Sequence, residues 1–577
     1  MKTLWPRLGT LLLCIAILLG AWLGYLRFMP SKAGHIVEAP KALQDAEAGP
    51  DFTLMLSDLK QMSARGHNVG SPGIEMVQDY IRYRAAELGY ETREDRYSLS
   101  MEDVLDLRRV WGRGLDATPE SIREDSGIGD APAMDLVNLY VHLDAPGTEE
   151  TIFLVAHTDS VKEGPGAFDD TVSVAAMLEG LRLLKGQTLR RDVVFLFTDG
   201  EEQGLLGAFL FVEEHPELVD KARLVLNLEA RGNSGALLMF ETSDKNLAMV
   251  RHLNRALQRP VSTSIATAVY RSMQNDTDLT AFFRKGRAGM NFACIDNPVV
   301  YHTAQDNYET FSRDTARQYL DDVTALARYF ATAPDLELDS GEDGVFFPLP
   351  FAKLAVVPEG IAKAVSWGIA LLTLVFLFVS IRKKRARLSY VMASFAGILF
   401  DLALATALVY GLQEAIHALF FGRGGSMWGS RWSTPVFLAM ALVFCFGGFF
   451  LARAARKGRT PFEKALGALL LPAIICLALP FVFPGGIYLG GVVGAGGLVY
   501  LAAASWSGRR LLVPLMLLGA LMMAVIAPIG YLLYTALGFY ASHLAIGLIM
   551  LPVLTLGALD CYGANQKEQA EALHLNP

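Results

Sequence analysis

The stretch Thr151-Ile152-Phe153-Leu154-Val155-Ala156-His157-Thr158-Asp159-Ser160 is a short apolar run, rich in β-branched and aromatic residues, that ends on an imidazole and a carboxylate. Runs of this kind form strands. Alternate residues of a strand share a face, so His157 and Asp159 point the same way and the acid is expected to reach the ring. Working outward, similar runs occur at Leu136–His142, Asp192–Thr198, Ala222–Leu228 and Gly289–Ile295. Amphipathic segments of helical length alternate with them, near Val172–Leu184, Gly204–Glu214, Asp244–Gln258 and Asp314–Tyr329. That alternation predicts an α/β domain with a mostly parallel central sheet flanked by helices. In such sheets ligands bind beyond the carboxyl ends of the strands, where His157 and Asp159 stand.

Four further segments carry polar residues to strand ends or to the loops after them. Gly164-Pro165-Gly166-Ala167-Phe168-Asp169-Asp170-Thr171 places a carboxylate pair before a helix, an arrangement that a simple helix cap also produces. Thr198-Asp199-Gly200-Glu201-Glu202-Gln203-Gly204 puts two adjacent carboxylates on a loop. Their side chains diverge, so one can bind a metal while the other faces a metal-bound water; a solvated acidic turn would look the same. Asn227-Leu228-Glu229 closes another strand on a carboxylate, and Tyr301-His302-Thr303 follows the last strand by a short loop. A lone His-x-Asp is equally the mark of a buried, hydrogen-bonded histidine. Taken together, two histidines, three carboxylates and one spare glutamate make an inventory suited to two zinc ions bridged by a carboxylate.

On these residues the chain resembles the M28 family of zinc peptidases, and within it the membrane-bound branch of endoplasmic reticulum metallopeptidase 1 and vacuolar membrane protease. The resemblance runs from His67-Asn68-Val69-Gly70-Ser71-Pro72-Gly73, through the segments above, to Gln274-Asn275-Asp276-Thr277-Asp278-Leu279 and Tyr301-His302-Thr303-Ala304-Gln305-Asp306. It covers most of Asp51–Tyr329. It implies a zinc-aminopeptidase-like domain in which His157, Asp169 and Glu229 hold one zinc, and Asp169, Glu202 and His302 the other, with Asp169 bridging. It also implies that Glu201 is the general base for a metal-bridging water, that Asp159 partners His157, and that the Asp169–Asp170 peptide is cis. Soluble relatives commonly have Asp where Glu229 stands, whereas the membrane-bound branch has Glu. The implied activity is hydrolysis of peptide bonds in a peptide or protein substrate, as an aminopeptidase. A catalytically inactive receptor-like protein, a transporter carrying a vestigial enzyme and a zinc-dependent glutaminyl cyclase are the alternatives.

The rest of the chain has a different solvent. Of 577 residues, 52% are hydrophobic, and from Ala364 onward long apolar stretches dominate. Gly9–Phe28 is long enough to cross a hydrocarbon core, which takes about 20 helical residues. A cleaved signal peptide competes with an uncleaved anchor there, but the run is long and no small-x-small site closes it. Seven further spans are expected near Ala364–Ile381, Ser389–Leu412, Pro435–Ala452, Ala465–Phe483, Ile487–Ser505, Leu511–Leu537 and Tyr540–Leu559. The organisation expected is therefore an anchor (1–29), a peptidase domain (30–363) and an all-α bundle (364–577). Basic clusters follow the second span (Arg382-Lys383-Lys384-Arg385-Ala386-Arg387), the fourth (Arg453 to Arg459) and the sixth (Arg509-Arg510).

All three clusters fall on one side, which the positive-inside rule makes cytoplasmic. The peptidase domain is then extracytoplasmic, facing a bacterial periplasm from the inner membrane, with an organelle lumen as the alternative. Within the bundle Asp401, Glu414, His417 and His543 are the polar residues of note, expected near the outer surface or paired with neighbours. Glu38–Pro50 and Pro334–Phe351 read as tethers. Only Cys294 of the 5 cysteines falls in the polar half, so no disulfide framework or cysteine zinc site is expected there. A net charge of -8 without a basic block in that half excludes nucleic acid as a partner.

Overall fold

The computed structural model describes residues 4–30, 49–112, 117–273, 275–350, 353–420, 433–454, 460–507 and 511–574. Most of the tether expected at Glu38–Pro50, Gln274 and the arginines of the basic clusters at Arg456, Arg459, Arg509 and Arg510 lie outside the described residues. The chain divides into two compact units: Met29–Asp343, and Met1–Phe28 together with Gly344–Pro577.

The first of these is built on an eight-stranded sheet. Its strands are β1 (Arg93–Ser100), β2 (Ala133–Leu143), β3 (Thr151–His157), β4 (Asp192–Thr198), β5 (Ala222–Ala230), β6 (Leu238–Thr242), β7 (Val261–Ser262) and β8 (Gly289–Cys294). They lie in the order β1-β2-β4-β3-β5-β8-β6-β7. The centre, β4-β3-β5-β8, is parallel throughout, while β2 pairs antiparallel with both β1 and β4, and β6 antiparallel with β8. Every residue of β3 and β8 is buried, as befits parallel strands covered by helices on both faces.

Helices Thr171–Leu184, Leu206–Glu214 and Arg313–Thr332 pack on this sheet. The first is buried at nearly every position, because it lies between β3 and the amphipathic Arg313–Thr332 helix. The core below the site gathers Phe153, Val155, Leu196, Phe209, Phe211, Val225 and Phe282. Trp111 stacks on Phe209 with ring centroids 3.9 Å apart.

Parallel register does the positioning. His157 pairs with Thr198 across β3 and β4. Val155 pairs with Asn227, which carries Glu229 to the level of His157, and Glu229 in turn pairs with Ala293. The carboxyl ends of β3, β4, β5 and β8 therefore finish together, and the loops that follow them rise from one edge.

Among its described residues the second unit contains eight helices long and apolar enough to cross a membrane: Leu8–Phe28, Glu359–Arg382, Leu388–Phe420, Ser433–Arg453, Pro461–Val482, Pro484–Ser507, Leu512–Leu537 and Phe539–Tyr562. Outward-facing residues such as Leu371, Leu372, Phe378 and Phe400 are exposed and apolar, the surface of an integral membrane protein whose solvent is lipid. The unit is not wholly helical. Gly344–Pro348 and Leu354–Pro358 form an antiparallel hairpin, and Phe347 stacks on Tyr488 at 4.4 Å. Val345, Phe346 and Phe347 pair with Val357, Val356 and Ala355 within a stretch read as part of a tether, and the hairpin groups by contacts with the helices rather than with Met29–Asp343.

The Leu8–Phe28 helix packs so closely on Leu512–Leu537 that a Cβ on Gly20 would lie 2.1 Å from the Ala520 carbonyl oxygen, and one on Gly24 2.2 Å from that of Ala524. Small residues at such spacing permit backbone contact between helices in lipid. Asp560, fully buried, accepts hydrogen bonds from Thr10 at 2.9 Å and from the Arg453 guanidinium at 2.8 Å. Of the polar residues singled out in the bundle, His543 lies with its Nδ1 3.4 Å from the Gln413 side-chain oxygen. His417 packs on the Tyr540 ring at 5.3 Å, Asp401 is buried and Glu414 is exposed.

Candidate metal centre

At the carboxyl edge of the sheet the loops bring His157, Asp169, Glu202, Glu229 and His302 together. His157 Nε2 lies 3.4 Å from Asp169 Oδ1 and 3.6 Å from Glu229 Oε2. His302 Nε2 lies 3.2 Å from Asp169 Oδ2 and 3.1 Å from Glu202 Oε2. The two oxygens of Asp169 thus face two different imidazoles. Glu201 joins His157 and Glu202 in a further group of closely spaced donor atoms.

Two readings that the sequence left open are closed by burial and hydrogen bonding. Asp170 occupies the position before the Thr171–Leu184 helix but makes no capping hydrogen bond, and both its oxygens are buried without a partner. Nor is the Glu201-Glu202 turn a solvated one, since the Glu202 side chain is 7% exposed. His302 sits at the left-handed φ of 58° with Tyr301 stacked on its ring at 3.7 Å. The Asp169–Asp170 peptide is cis.

Asp159 lies beside His157 as expected but makes its hydrogen bonds elsewhere. The His157 ring uses Nδ1 on the Asp159 backbone carbonyl at 2.8 Å, while the carboxylate stands 3.6 Å from that nitrogen. The carboxylate instead accepts the backbone N–H of Glu201 on one oxygen and that of Glu202 on the other, each at 3.1 Å. The chain turns immediately after β3, and the turn swings the side chain across to the loop after β4. That loop needs the freedom of Gly200, whose φ is 78° and where a Cβ would meet Leu136 at 2.9 Å.

Several residues at the site carry no role in the sequence reading. Asp306 accepts the amides of Phe168 and Asp169, each at 3.0 Å, on its carboxylate. Asp278 is buried and accepts from the Thr198 hydroxyl. Asn227 donates to Glu229 at 3.1 Å and to Asn291 at 3.1 Å. His67 lies with its Nε2 3.4 Å from the Thr171 hydroxyl, and burial lowers its pKa to about 4, so the ring is neutral at ordinary pH. Asp306 and Asp278 fall inside the stretches that carry the family resemblance, and that position is the one signal the sequence held for them.

The electrostatics are one-sided. Burial raises Glu202 to about 7 and Glu229 to about 8, and Asp169 adds to both shifts by like-charge repulsion. Burial, then the Glu229 carboxylate, holds Glu201 well above its usual range. Burial alone works against protonation of His302, but Asp169 and Glu202 bring it to about 10. So many buried carboxylates about two imidazoles are stable as anions only beside further positive charge.

The donor set fits metal. His302 Nε2 and Glu202 Oε1 are buried without a hydrogen-bond partner. Two ligands that each sit about 2.0–2.1 Å from one tetrahedral zinc lie roughly 3.3 Å apart, and the four spacings above run from 3.1 to 3.6 Å.

Residues 138–327 match the model of peptidase family M28. Endoplasmic reticulum metallopeptidase 1 of Mus musculus is 28% identical over 320 residues, covering 53% of this chain and 35% of the mouse protein. The vacuolar membrane protease of Saccharomyces cerevisiae is 27% identical over 290 residues, covering 49% of this chain and 29% of the yeast protein. The chain spans about a third of the length of these curated relatives. Among solved structures, an aminopeptidase from Aneurinibacillus sp. strain AM-1 aligns over 50% of this chain and 96% of its own, at 15% identity and a TM-score of 0.39.

Proposed function

We propose that the chain, whose residues 138–327 match the model of peptidase family M28, is a membrane-anchored metallopeptidase that binds two zinc ions and hydrolyses peptide bonds, acting as an aminopeptidase. One observation carries the reading: the carboxylate of Asp169 offers Oδ1 towards His157 at 3.4 Å and Oδ2 towards His302 at 3.2 Å. His157, Asp169 and Glu229 would hold one ion, and Asp169, Glu202 and His302 the other. Zinc held this way supplies Lewis acidity to a carbonyl and lowers the pKa of water towards neutrality.

The protein's own groups do the rest. Glu201 takes a proton on its carboxylate from the attacking water and returns it to the leaving amine. Asp159 fixes the amides of Glu201 and Glu202, so proton carrier and ligand keep one spacing. Asp306 and the Asp159 carbonyl orient Asp169 and His157 respectively. The aminopeptidase assignment rests on the family resemblance.

The same proposal makes 1–29 an anchor and 30–343 the peptidase domain, with the chain from Gly344 onward, which groups with the helices, joining 364–577 in the membrane unit. The domain faces away from the cytoplasm, because the basic clusters after the second, fourth and sixth spans share one side; a bacterial inner membrane with the domain in the periplasm is our preferred setting.

The test uses the full chain in detergent. His157→Ala and His302→Ala are each expected to lower bound zinc by one equivalent, and the unmodified chain to cleave peptides with a free amino terminus but not acetylated ones. Unchanged zinc in both variants would remove the two-metal reading. Equal cleavage of acetylated peptides would remove the aminopeptidase assignment alone.

A further inference from the structure

A second group of donors lies at the opposite end of the sheet. His142, near the end of β2, faces Asp192, the first residue of β4, and Asp144, in the turn between β2 and β3. His142 Nε2 is 3.4 Å from Asp192 Oδ2 and 3.6 Å from Asp144 Oδ1. β2 runs antiparallel to β4, with His142 opposite Val194, whereas the centre described above stands beyond Thr198. The length of β4, 7 residues, separates the two groups by roughly 20 Å at about 3.3 Å per residue.

The imidazole is the unusual member. Its side chain is 9% exposed, and neither ring nitrogen has a hydrogen-bond partner. An orphaned buried imidazole is costly. Both carboxylates lie beyond the 2.7–3.2 Å of a hydrogen bond, yet near the roughly 3.3 Å that separates two ligands of one tetrahedral ion. His157 shows the same pair of spacings to Asp169 and Glu229.

Asp192 is held in place for such a role. Its Oδ1 accepts the Ala145 amide at 2.7 Å, which leaves Oδ2 for the imidazole side. The neighbouring cation, Lys221, is paired with Glu149 at 2.8 Å, so a fixed positive charge is not committed to Asp192. Asp144 is 82% exposed and leaves the site open to solvent on one side.

We propose that His142, Asp144 and Asp192 form a divalent-cation site distinct from the one at the carboxyl ends of the strands, taking zinc on one imidazole nitrogen and two carboxylate oxygens with water in the fourth position. Imidazole with carboxylate suits zinc among the available divalent ions. The ion ties the β2–β3 turn to the start of β4, so its role is to hold that end of the sheet. The inference stands independently of the proposed peptidase activity.

Full-length protein in detergent, stripped of metal and titrated with Zn2+ by calorimetry, tests it. The unmodified chain is expected to bind one equivalent more than His142→Gln. Asp144→Asn, an exposed position where folding is not at stake, is expected to weaken that equivalent at least tenfold. Peptide hydrolysis by the zinc-loaded variants should match the unmodified chain. Zinc stoichiometry and affinity unchanged in Asp144→Asn and in folded His142→Gln would overturn the site. So would loss of zinc from the catalytic group in either variant, since it would show that the two groups are not independent.

Discussion

Asp306 holds Asp169 by its backbone: the carboxylate of the one accepts the amide of the other at 3.0 Å, and that of Phe168 at the same distance. The acid that divides itself between two histidines is therefore aimed from a loop more than a hundred residues away. Asp306→Ala leaves all five proposed ligands intact but frees that loop. We expect zinc affinity to fall by about 10–100-fold, the usual cost of removing a partner that orients a ligand. Competition with a chelator of known affinity measures it, and an unchanged affinity would show that the loop holds itself.

Glu201→Gln keeps the size and burial of the side chain and removes its ability to accept a proton. Bound zinc should stay at the unmodified level while turnover falls by about 100–10,000-fold. Metal analysis and peptide hydrolysis on one preparation separate the two. A variant that hydrolyses peptides at the normal rate would take the proton-transfer role away from Glu201.

A chelator should abolish hydrolysis, and added zinc should restore it. Because the buried carboxylates of Glu202 and Glu229 are raised by burial and by repulsion from Asp169, the stripped protein should also be less stable than the loaded one. Stabilisation by a bound ion grows with its concentration over its dissociation constant. A thermal midpoint that does not move with zinc would contradict it.

His215 supplies a pH prediction remote from the metal centre. Its Nε2 lies 2.9 Å from Asp95 on β1, and that hydrogen bond raises its pKa above the ordinary 6.5. A raised folded value means that the protonated pair stabilises the fold below about pH 6.5 and that this contribution is lost as pH rises through the folded value. His215→Gln should therefore speed hydrogen exchange of β1 at pH 6, consistent with roughly 1–2 kcal/mol of local stability, and change it little at pH 9. Equal effects at both pH values would refute an ionic contribution.

In the membrane unit, Asp560→Asn leaves the Arg453 guanidinium without its carboxylate. Breaking one partner of a buried pair costs about 3–5 kcal/mol, less here because Arg453 is 31% exposed. Thermal unfolding in detergent should show a lower midpoint, restored in part by the double change Arg453→Gln with Asp560→Asn.

What the sequence disclosed depended on the kind of signal each element carries. β3, β4, β5 and β8 are apolar at most positions because both faces are covered, so composition alone found them. β1, Arg93–Ser100, escaped because it is an edge strand of charged and hydroxyl residues, exposed on alternate positions, and its partner β2 supplies the apolar contacts. β6 and β7 are too short to show a period. The residues of the candidate metal centre were legible because each stands at a strand end or in the loop that follows one. Asp306, Asp278 and Asn227 act through hydrogen bonds between distant loops and strands, which no local spacing encodes. The Asp159 carboxylate does lie 3.6 Å from the His157 ring, but its hydrogen bonds to the Glu201 and Glu202 amides were hidden for the same reason. Alternation along a strand fixes where a side chain starts, and the turn that follows redirects it. Asp560 closes an apolar run, where a lone acid looks like a boundary rather than the centre of a buried pair.

The contact of Gly20 with Ala520 also sets a timetable. A ribosome adds roughly 5–20 residues per second, so the Leu8–Phe28 helix waits on the order of half a minute to two minutes for the surface against which its glycines fit. Throughout that interval the 315 residues from Met29 to Asp343 emerge and are free to acquire their structure while the bundle is still missing its late-made half. The membrane unit therefore cannot close before Leu512–Leu537 has been made, and a chain halted ahead of that helix would leave the Gly20 and Gly24 face of Leu8–Phe28 open to lipid or to the quality-control machinery.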